Sequence, residues 1–300
     1  MAQTYDCLIV GGGPAGLTAA IYLARYRRKV LVIDAGRSRA AWIPTLHNYP
    51  GFEDGIAGKA LLRKLREQAL EYGAELREGE VTALQKASDG FTATADGKTI
   101  AARRVLMATG IVDETPSLPG LRDAVYEGTL RFCPICDGYE AQGQRIAVLG
   151  DTETGWRKAL FLRTYSKDVT LVCVDDPASA SEECKNELKE AGVTLADECA
   201  KDIDRSGEKI VAILESEKKL AFDVLYPALG CEVRSTLAVA LGARATENGN
   251  LLVDDCQRTS VEGLYAAGDV VSDLHQISVG LGHAAIAATK IHNELERNLA

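Results

Sequence analysis

The chain has 300 residues, 46% of them hydrophobic, and carries a formal net charge of −9 at pH 7. This length and apolar content predict about two domains, each with a core of its own. The acidic balance argues against nucleic acid as a partner, and no apolar stretch is long enough to cross a bilayer, so we expect no membrane partner either.

The start of the chain and its cysteines point to a reducing compartment. Residues 1–6 are polar and lead directly into an apolar run, so nothing here resembles a signal peptide. Eight cysteines without a secretory signal are typical of a protein whose thiols stay reduced. We therefore expect a cytoplasmic enzyme or redox carrier.

The first motif lies close to the N-terminus. Residues 5–10 form a short β-branched apolar run that predicts a buried strand, and a Gly-rich loop at 11–16 follows it. An apolar-periodic helix is expected over 17–27, and a second strand over 29–33 ends at Asp34. Strand, glycines, helix, strand and acid in this order are the fingerprint of a dinucleotide-binding unit, in which the helix N-terminus faces a pyrophosphate.

The next stretch carries weaker signals. Polar turn residues at 48–51 precede a helix expected over 58–72. Strands expected near 76–84, 91–95 and 99–101 have the alternation of a small antiparallel insertion, and 104–110 reads as a buried strand. Prolines at 116 and 119 break both helix and strand, which makes this stretch the best linker in the chain.

The run Cys133-Pro134-Ile135-Cys136-Asp137-Gly138 is the strongest chemical signal. Two cysteines with two residues between them can close into a disulfide or open to two thiols. Pro134 suits the first turn of a helix, whose N-terminus lowers a thiol's pKa. Zinc would need two more ligands, and the other cysteines form no second close pair. We interpret the pair as redox-active; half a zinc site and a structural disulfide are the alternatives.

A second βαβ unit begins at residues 145–150 and repeats the first without a gap, at an offset of 139. The paired positions are Gly11 with Gly150, Gly16 with Gly155, Leu23 with Leu162, and Val30 with Val169. A last buried strand at 263–269 ends in Gly-Asp and precedes a helix expected over 277–295.

The loop of the second unit is damaged for nucleotide binding. Its middle glycine is replaced by Thr152, and Asp151 and Glu153 place negative charge where a diphosphate would lie. The position equivalent to Asp34 is Cys173, which is not an acid.

Together these motifs resemble the low-molecular-weight thioredoxin reductase family, FAD-dependent pyridine nucleotide-disulphide oxidoreductases, over nearly the whole chain. The resemblance implies an α/β fold of two Rossmann-like, three-layer ββα nucleotide-binding domains, the second inserted in the first. The FAD-binding domain would comprise 1–116 plus 248–300, and the central domain 117–247. It also implies a homodimer and a thioredoxin or similar disulfide as substrate.

The resemblance also implies roles for single residues. Cys136 would be the thiol next to the flavin, Cys133 the thiol that attacks the substrate disulfide, and Asp137 the acid that protonates the departing thiolate. A helix-capping role is the alternative for Asp137. The implied FAD-binding residues are Gly11, Gly13, Pro14, Ala15, Gly16, Asp34, Asn48, Val81, Thr109, Gly110, Gly268, Asp269, Gln276 and Ile277.

The electron donor is where the chain departs from the family. Family members that use NADPH carry arginines for its 2′-phosphate, whereas this chain has Asp175 and Asp176, which would repel that phosphate. We therefore expect no use of NADPH, while NADH stays open and a solvated turn is the plain alternative for both acids. In this respect the chain is similar to the branch without a working NADPH site, such as the ferredoxin-dependent flavin thioredoxin reductases. Ferredoxin is then an open donor, and the basic run at 25–29 could steer it.

Four further readings stay open. A flavin-dependent dithiol oxidase that uses oxygen could employ His275 as a base. An NADH-dependent reductase and a non-catalytic flavin redox sensor are two others. A second flavin could occupy the vacated second unit with Trp156 stacked on its ring, although a packed core is the plain alternative for that tryptophan.

Overall fold

The structure is a computed structural model that describes residues 4–152, 154–272 and 274–299. Its contacts divide the chain into two compact units. The first unit comprises the described parts of Met1–Ala41, Ala57–Val112 and Glu232–Ala300, and the central unit comprises those of Trp42–Ile56 and Asp113–Cys231. The functional division predicted at 116/117 and 247/248 stays a prediction.

Strands and helices alternate along much of the chain. In chain order, the strands are β1 (Thr4–Val10), β2 (Val30–Asp34), β3 (Glu75–Glu78), β4 (Val81–Ala87), β5 (Gly90–Ala95), β6 (Lys98–Met107), β7 (Ile111–Asp113), β8 (Ile146–Gly150), β9 (Val169–Cys173), β10 (Thr194–Leu195), β11 (Ala200–Ser206), β12 (Lys209–Leu214), β13 (Lys219–Phe222), β14 (Val224–Ala228), β15 (Cys231–Val233) and β16 (Leu264–Ala266). The helices are α1 (Pro14–Arg25), α2 (Gly58–Glu71), α3 (Leu121–Tyr126), α4 (Pro134–Asp137), α5 (Gly155–Leu162), α6 (Glu182–Ala191), α7 (Thr236–Ala240) and α8 (Ile277–Glu294).

The first unit is organised around a mixed sheet in the order β3-β2-β1-β6-β5-β4, with β16 also paired to β6. Strand β1 is parallel to β2 and β6, and Cys7 lies opposite Val30 on one side and Arg104 on the other. One face of the sheet is covered by α1 and α8, whose small residues, such as Ala20 and Ala288, are buried in the same core. This is the layered α/β arrangement expected of a nucleotide-binding unit.

Three predicted strands of this region differ in the structure. The strand expected over 76–84 is two strands, because Gly79 between them has a φ of +148°, outside the extended conformation that a strand needs. Strand β3 is parallel to β2, so the antiparallel insertion consists of β4, β5 and the first part of β6. The separate strands expected at 99–101 and 104–110 are one continuous strand, β6, which serves both halves of the sheet.

The central unit repeats the first. Its parallel sheet has the order β10-β9-β8-β14, and Ile146 on β8 lies opposite Val169 on β9. These two residues stand 139 positions after Cys7 and Val30, which lie opposite each other in the first unit, so the predicted repeat is confirmed in register. A three-stranded antiparallel sheet, β11-β12-β13, packs its buried residues with Val172 of β9. The predicted α/β class with two Rossmann-like units is confirmed.

Helix positions follow the sequence closely. The predicted helix over 58–72 is α2, and the predicted terminal helix is α8. Helix α1 begins at Pro14, three residues earlier than expected, because proline is well tolerated at the first helical position. In the part of the chain that the structure describes, we find no helix long and apolar enough to cross a membrane.

Val172 on β9 and Val174, just beyond the end of that strand, provide a test of this packing. Val172 is fully buried in the central unit, whereas Val174, two residues further on, is 46% exposed. We expect Val172→Ala to lower the free energy of unfolding by about 2–3 kcal/mol, the cost of the lost methyl groups plus a cavity. We expect Val174→Ala to change it by less than about 0.5 kcal/mol. Urea unfolding followed by tryptophan fluorescence measures both, since Trp42 and Trp156 lie in this unit; equal losses would contradict the packing described.

Candidate active site

In the glycine loop between β1 and α1 of the first unit, the start of the helix passes very close to the backbone at the end of the strand. A Cβ added at Gly16 would lie 1.9 Å from the carbonyl oxygen of Gly11, and one at Gly11, whose φ is +110°, would lie 2.3 Å from the carbonyl oxygen of Ala108. A Cβ at Gly13 would meet no atom closer than Ser38 Oγ, at 3.4 Å. Helix α1 follows with Pro14 and Ala15, and its flanking residue Gly13 has no side chain that could cap it; the described residues show no side-chain cap at this helix start. Its first amides are therefore directed at the loop, where they suit a phosphate.

Asp34 stands at the end of β2, beside this loop. Its carboxylate accepts a hydrogen bond from Gly36 N at 3.0 Å and forms an ion pair with Arg66, whose Nη2 lies 2.5 Å away. A Cβ at Gly12 would lie 2.4 Å from the same carboxyl group, so glycine is needed there as well. The acid predicted to bind a ribose is thus in the expected place, and α2 supplies its counter-charge.

The structure brings further predicted residues to the first unit. Thr109 Oγ1 donates to Arg234 O at 2.5 Å, and Gly110 beside it has a φ of +66°. Gly268 has a φ of +83°, and its added Cβ would lie 3.0 Å from Ala15 Cβ. Val81 is the buried first residue of β4.

Asp269 and the start of α8 are also in this unit. Asp269 lies 3.7 Å from Arg39 Nη1, and its carbonyl oxygen accepts from Asn250 Nδ2 at 3.3 Å. Gln276 is the N-terminal flanking residue of α8 and Ile277 its first residue, and within the described residues the Gln276 side chain makes no capping hydrogen bond to this helix end. An uncapped helix N-terminus suits a group that gains negative charge.

Asn48 belongs to the central unit, not the first. Its Nδ2 is 3.5 Å from Ile135 O, in the middle of the cysteine motif. Its role beside a flavin stays a prediction.

Cys133 and Cys136 form a disulfide, with their Cα atoms 5.3 Å apart. Cys133 is the N-terminal flanking residue of α4, Pro134 is the first helical residue as predicted, and Cys136 N lies 3.2 Å from Cys133 Sγ. Among the described residues, Cys7, Cys173, Cys184, Cys199 and Cys256 are free thiols. Among the residues that the structure describes, no group of three or more histidines, cysteines and acids could hold a metal ion. The half-zinc-site alternative finds no support here.

Asp137 is the last residue of α4, so it does not cap the helix start; Cys133 does. Tyr226 Oη donates to Asp137 Oδ1 at 3.0 Å, and Arg131 Nη1 donates to the carbonyl oxygen of Asp137 at 2.7 Å. Burial raises the pKa of the Asp137 carboxyl to about 6, although Arg131 and the Tyr226 hydrogen bond oppose the rise. A carboxyl group with this pKa can release and regain a proton near neutral pH.

The second loop is closed by its own acids. The Asp175 carboxylate accepts from Thr152 N at 3.1 Å and from Thr152 Oγ1 at 3.0 Å, and the Thr152 side chain is buried. Asp151 Oδ1 accepts from Thr154 N at 2.6 Å. These carboxylates occupy backbone donors at the loop position where, in a dinucleotide-binding unit, phosphate oxygens bind. Glu153, the other predicted source of repulsion, lies outside the described residues.

Asp175 and Asp176 therefore have different roles. Asp176 caps the short helical turn that follows it by accepting from Ala178 N at 2.9 Å, as the turn alternative predicted. Asp175 does not fit that alternative, because its carboxylate turns back to the loop. Cys173 is buried at the end of β9, at the position that Asp34 occupies on β2.

Two other hypotheses can be compared with the structure. Trp156 is packed in the core of the central unit, as its plain alternative predicted, and a second flavin in this unit stays an untested prediction. The basic run at 25–29 is not a uniform surface, because Arg28 is buried and its Nε donates to His292 Nδ1 at 3.0 Å. Arg25 lies over the ring of Tyr72. His275 is partly buried, and its Nε2 has no hydrogen-bond partner among the described residues.

Comparison with known proteins bears on this arrangement of loop and disulfide. The family model described as "Pyridine nucleotide-disulphide oxidoreductase" matches residues 5–289. The chain belongs to this family. A thioredoxin reductase from Mycolicibacterium smegmatis is 31% identical over 95% of this chain and 94% of its own length. The crystal structure of thioredoxin reductase from Streptococcus pyogenes MGAS5005 superposes with a TM-score of 0.90, at 27% identity over 98% of each chain.

A "Bifunctional thioredoxin reductase/thioredoxin" from Mycobacterium leprae is 32% identical over 95% of this chain, but the chain spans only 64% of its length. These relatives support membership of the low-molecular-weight thioredoxin reductases, as the resemblance implied. The protein is thus a thioredoxin reductase-like flavoprotein disulfide oxidoreductase.

The family implies FAD as the cofactor, and the first unit fits it. The glycines at 11, 12 and 16 leave no room for a side chain at the crossing, and the uncapped start of α1 offers amides to a pyrophosphate. In the second loop, by contrast, the Asp175 and Asp151 carboxylates accept hydrogen bonds from Thr152 N and Thr154 N.

Sequence reasoning missed four contributors to these sites. They are Gly12, Arg66, Tyr226 and the contact of Asp175 with Thr152. Gly12 lies within the glycine run and could have been included. Tyr226 had a detectable signal, a phenolic hydroxyl in a strand that otherwise reads as continuously buried. Arg66 had none, because nothing in the periodicity of α2 shows which strand end it meets.

The glycine crossing can be tested by flavin content. Gly16→Ala would place a methyl group 1.9 Å from the Gly11 carbonyl oxygen, so the loop must open and the phosphate amides must shift. We expect the purified variant to hold less than about a tenth of the wild-type flavin, since a tenfold loss corresponds to about 1.4 kcal/mol of binding. The ratio of absorbance at 450 nm to that at 280 nm measures this.

Gly282→Ala is the matched control. An added Cβ at Gly282, on α8, meets no atom within 4 Å, so we expect wild-type flavin content. Full flavin in Gly16→Ala would show that the crossing tolerates a side chain.

Proposed function

We propose that this protein is an FAD-dependent disulfide reductase that reduces a thioredoxin-like disulfide through Cys133 and Cys136 without using NADPH. Bound FAD supplies the electron pair that opens the Cys133–Cys136 disulfide. The observation that carries the NADPH-independent part is the second loop, where Asp175 and Asp151 already accept from the loop amides.

The charges of the second loop oppose the binding of NADPH. A diphosphate entering the second loop would meet two carboxylates and would have to displace Asp175 from both donors of Thr152. It would then find no arginine in the stretch after β9, where Asp175 and Asp176 follow. Like charges at contact distance in a partly buried site cost several kcal/mol, so binding would be weakened by orders of magnitude.

The chemistry of the pair follows from exchange between thiols and disulfides. In the reduced protein, Cys133 attacks the substrate disulfide and forms a mixed disulfide while one substrate sulfur leaves as a thiolate. Cys136 then attacks Cys133, which reforms the Cys133–Cys136 disulfide and releases the substrate dithiol. Each departing thiolate takes up a proton, and we assign Asp137 as the acid that provides it.

The donor is then a one-electron carrier of the ferredoxin type, delivering electrons singly to the flavin. The acidic net charge of −9 and the burial of Arg28 argue against tight docking on the run at 25–29. We therefore propose that ferredoxin docks only transiently on this protein. We also propose that the protein is a cytoplasmic homodimer, in line with the resemblance.

The roles of the remaining site residues follow the first unit's geometry. We propose that the start of α1 holds the FAD pyrophosphate, Asp34 the adenosine ribose, and the start of α8 the flavin edge. Asp269 would approach the ribityl or pyrophosphate part of the cofactor.

The proposal first predicts which electron donor reduces the flavin. Under anaerobic conditions, we expect photoreduced ferredoxin to bleach the flavin absorbance and to generate thiols on added thioredoxin. We expect NADPH and NADH to bleach it at least about a thousandfold more slowly, which corresponds to about 4 kcal/mol of lost stabilisation. Stopped-flow absorbance at 450 nm with a thiol assay measures both.

Two variants control this experiment. The Cys136→Ser variant should still bind flavin, and reduced ferredoxin should still bleach that flavin, but no thiols should form on thioredoxin. Cys256 is a free thiol in the first unit, so the Cys256→Ser variant should behave as wild type. Rapid bleaching by NADPH would contradict the proposal, and bleaching by NADH would identify an NADH-dependent reductase. Bleaching by small dithiols with recovery in air would identify the dithiol oxidase, and bound flavin without any turnover would identify the sensor.

The protonation of Asp137 gives a second prediction. Its pKa is raised to about 6, so the protonated fraction falls about tenfold for each pH unit above 6. We expect the ratio of the wild-type exchange rate to that of Asp137→Asn to fall with the same slope, because the ratio cancels the pH dependence of the attacking thiolate. Exchange of the prereduced proteins with oxidised thioredoxin between pH 5 and 9 measures it; a flat ratio would remove Asp137 from the reaction.

A further inference from the structure

Tyr226 is a phenol in an otherwise apolar strand. All five residues of β14 are buried, and the Tyr226 side chain has no exposed surface. Its hydroxyl lies 3.0 Å from Asp137 Oδ1 and 3.2 Å from the Asp137 carbonyl oxygen. A phenylalanine would fill the same space without burying a polar atom. The hydrogen bonds to Asp137 are therefore what makes a buried hydroxyl at this position favourable.

The direction of this hydrogen bond is determined by burial. Burial raises the pKa of Tyr226 well above its usual range, so the hydroxyl keeps its proton and is the donor. Asp137 Oδ1 is therefore the acceptor, both as carboxylate and as carboxylic acid. A protonated carboxyl group carries one hydrogen, and with Oδ1 receiving the phenol, that hydrogen is on Oδ2.

Two basic residues hold the surrounding backbone. Arg131 bridges the carbonyl oxygens of Asp137 and Gly128, at 2.7 and 2.9 Å. Lys158 Nζ donates to Pro227 O at 2.5 Å and lies 3.5 Å from Phe132 O. Lys158 thus links β14, which carries Tyr226, to Phe132, the residue before Cys133. The same side chain therefore stabilises the backbone next to the phenol and next to the disulfide.

We propose that Tyr226 is a positioning residue for disulfide exchange, which holds Asp137 so that Oδ2 carries the proton delivered to the departing thiolate. This rests on the acid role proposed above for Asp137. In the step itself, the O–H bond at Oδ2 breaks, an S–H bond forms, and Asp137 is left as a carboxylate. The Tyr226 hydrogen bond becomes charge-assisted at that moment and stabilises the product carboxylate. Solvent then returns the proton.

The groups that face Asp137 determine the sign of the expected shift. Arg131, Lys158 and the Tyr226 hydrogen bond lower the pKa of the carboxyl, whereas burial and Glu140 raise it. Removing the phenol oxygen removes one stabilising contact of the anion, so the pKa of Asp137 rises.

The test compares Tyr226→Phe with Tyr165→Phe. Tyr165 is in the same unit, and its ring lies against Gly138, next to Asp137, but its hydroxyl makes no hydrogen bond in the described structure. The prereduced holoproteins react with bis(2-hydroxyethyl) disulfide, an alkyl disulfide whose departing thiolate is strongly basic and needs an acid. The rate is divided by that of Asp137→Asn at each pH.

In wild type and Tyr165→Phe, we expect this ratio to fall above about pH 6, the value to which the pKa of Asp137 is raised. In Tyr226→Phe, we expect the fall to begin about one pH unit higher and the low-pH plateau to be about tenfold lower, because the proton is no longer directed to Oδ2. Infrared titration of the Asp137 carboxyl should show the same shift without turnover. The double variant Tyr226→Phe with Asp137→Asn should match Asp137→Asn within about twofold.

The outcomes separate the two proposals. If the wild-type ratio to Asp137→Asn is flat, the acid role of Asp137 fails. If that ratio falls as expected but Tyr226→Phe coincides with Tyr165→Phe, the acid role stands and the positioning role of Tyr226 is overturned. Should Tyr226→Phe not fold, Tyr226→3-fluorotyrosine keeps the volume and strengthens the donor, and the fall must then begin at lower pH; an unchanged profile would overturn the inference.

Discussion

Both units depend on the same steric constraint, the crossing of a helix start over the end of the strand before it. In the first unit, the space for a Cβ at Gly16 is already filled by the Gly11 carbonyl oxygen, 1.9 Å away. In the central unit, an added Cβ at Gly155 would lie 3.3 Å from Gly150 Cα and 2.9 Å from Leu171 Cδ1. The crossing brings backbone amides to the loop, and every later step of the chemistry relies on where those amides point.

The same scaffold then has opposite uses in its two copies. The first helix start has no side-chain cap, which leaves its donors for a phosphate, whereas Asp175 and Asp151 satisfy the donors of the second loop from within the chain. Replacing a glycine by Thr152 also adds a hydroxyl that strengthens this internal bonding. The fold of a nucleotide unit is therefore kept while carboxylates of the chain itself occupy amides of its loop, because packing depends on the crossing glycines and not on those amides.

Features encoded by local sequence were predictable. The glycine loops, the proline at the start of α4 and the alternating strands follow from backbone sterics and side-chain period, and the gapless repeat fixed the register of β8 with β9. The break at Gly79 was missed because apolar alternation continues across it. Contacts between distant segments were not predictable: Tyr226 meets Asp137 across 89 residues, and Arg28 meets His292 across 264. The periodicity of a sequence does not show which distant residues will pair. A polar residue is buried when such a partner satisfies it, so its burial could not be predicted either.

Strand β6 has a consequence for how the chain is made. It pairs with β1 and β5, but also with β16, so the first sheet is incomplete until residues 264–266 have left the ribosome. The sheet of the central unit needs nothing beyond β14 and can form earlier. During translation, the redox unit can therefore mature while the apolar β6 in the first unit still has an unpaired edge, and an unpaired strand edge is the kind of surface that aggregates.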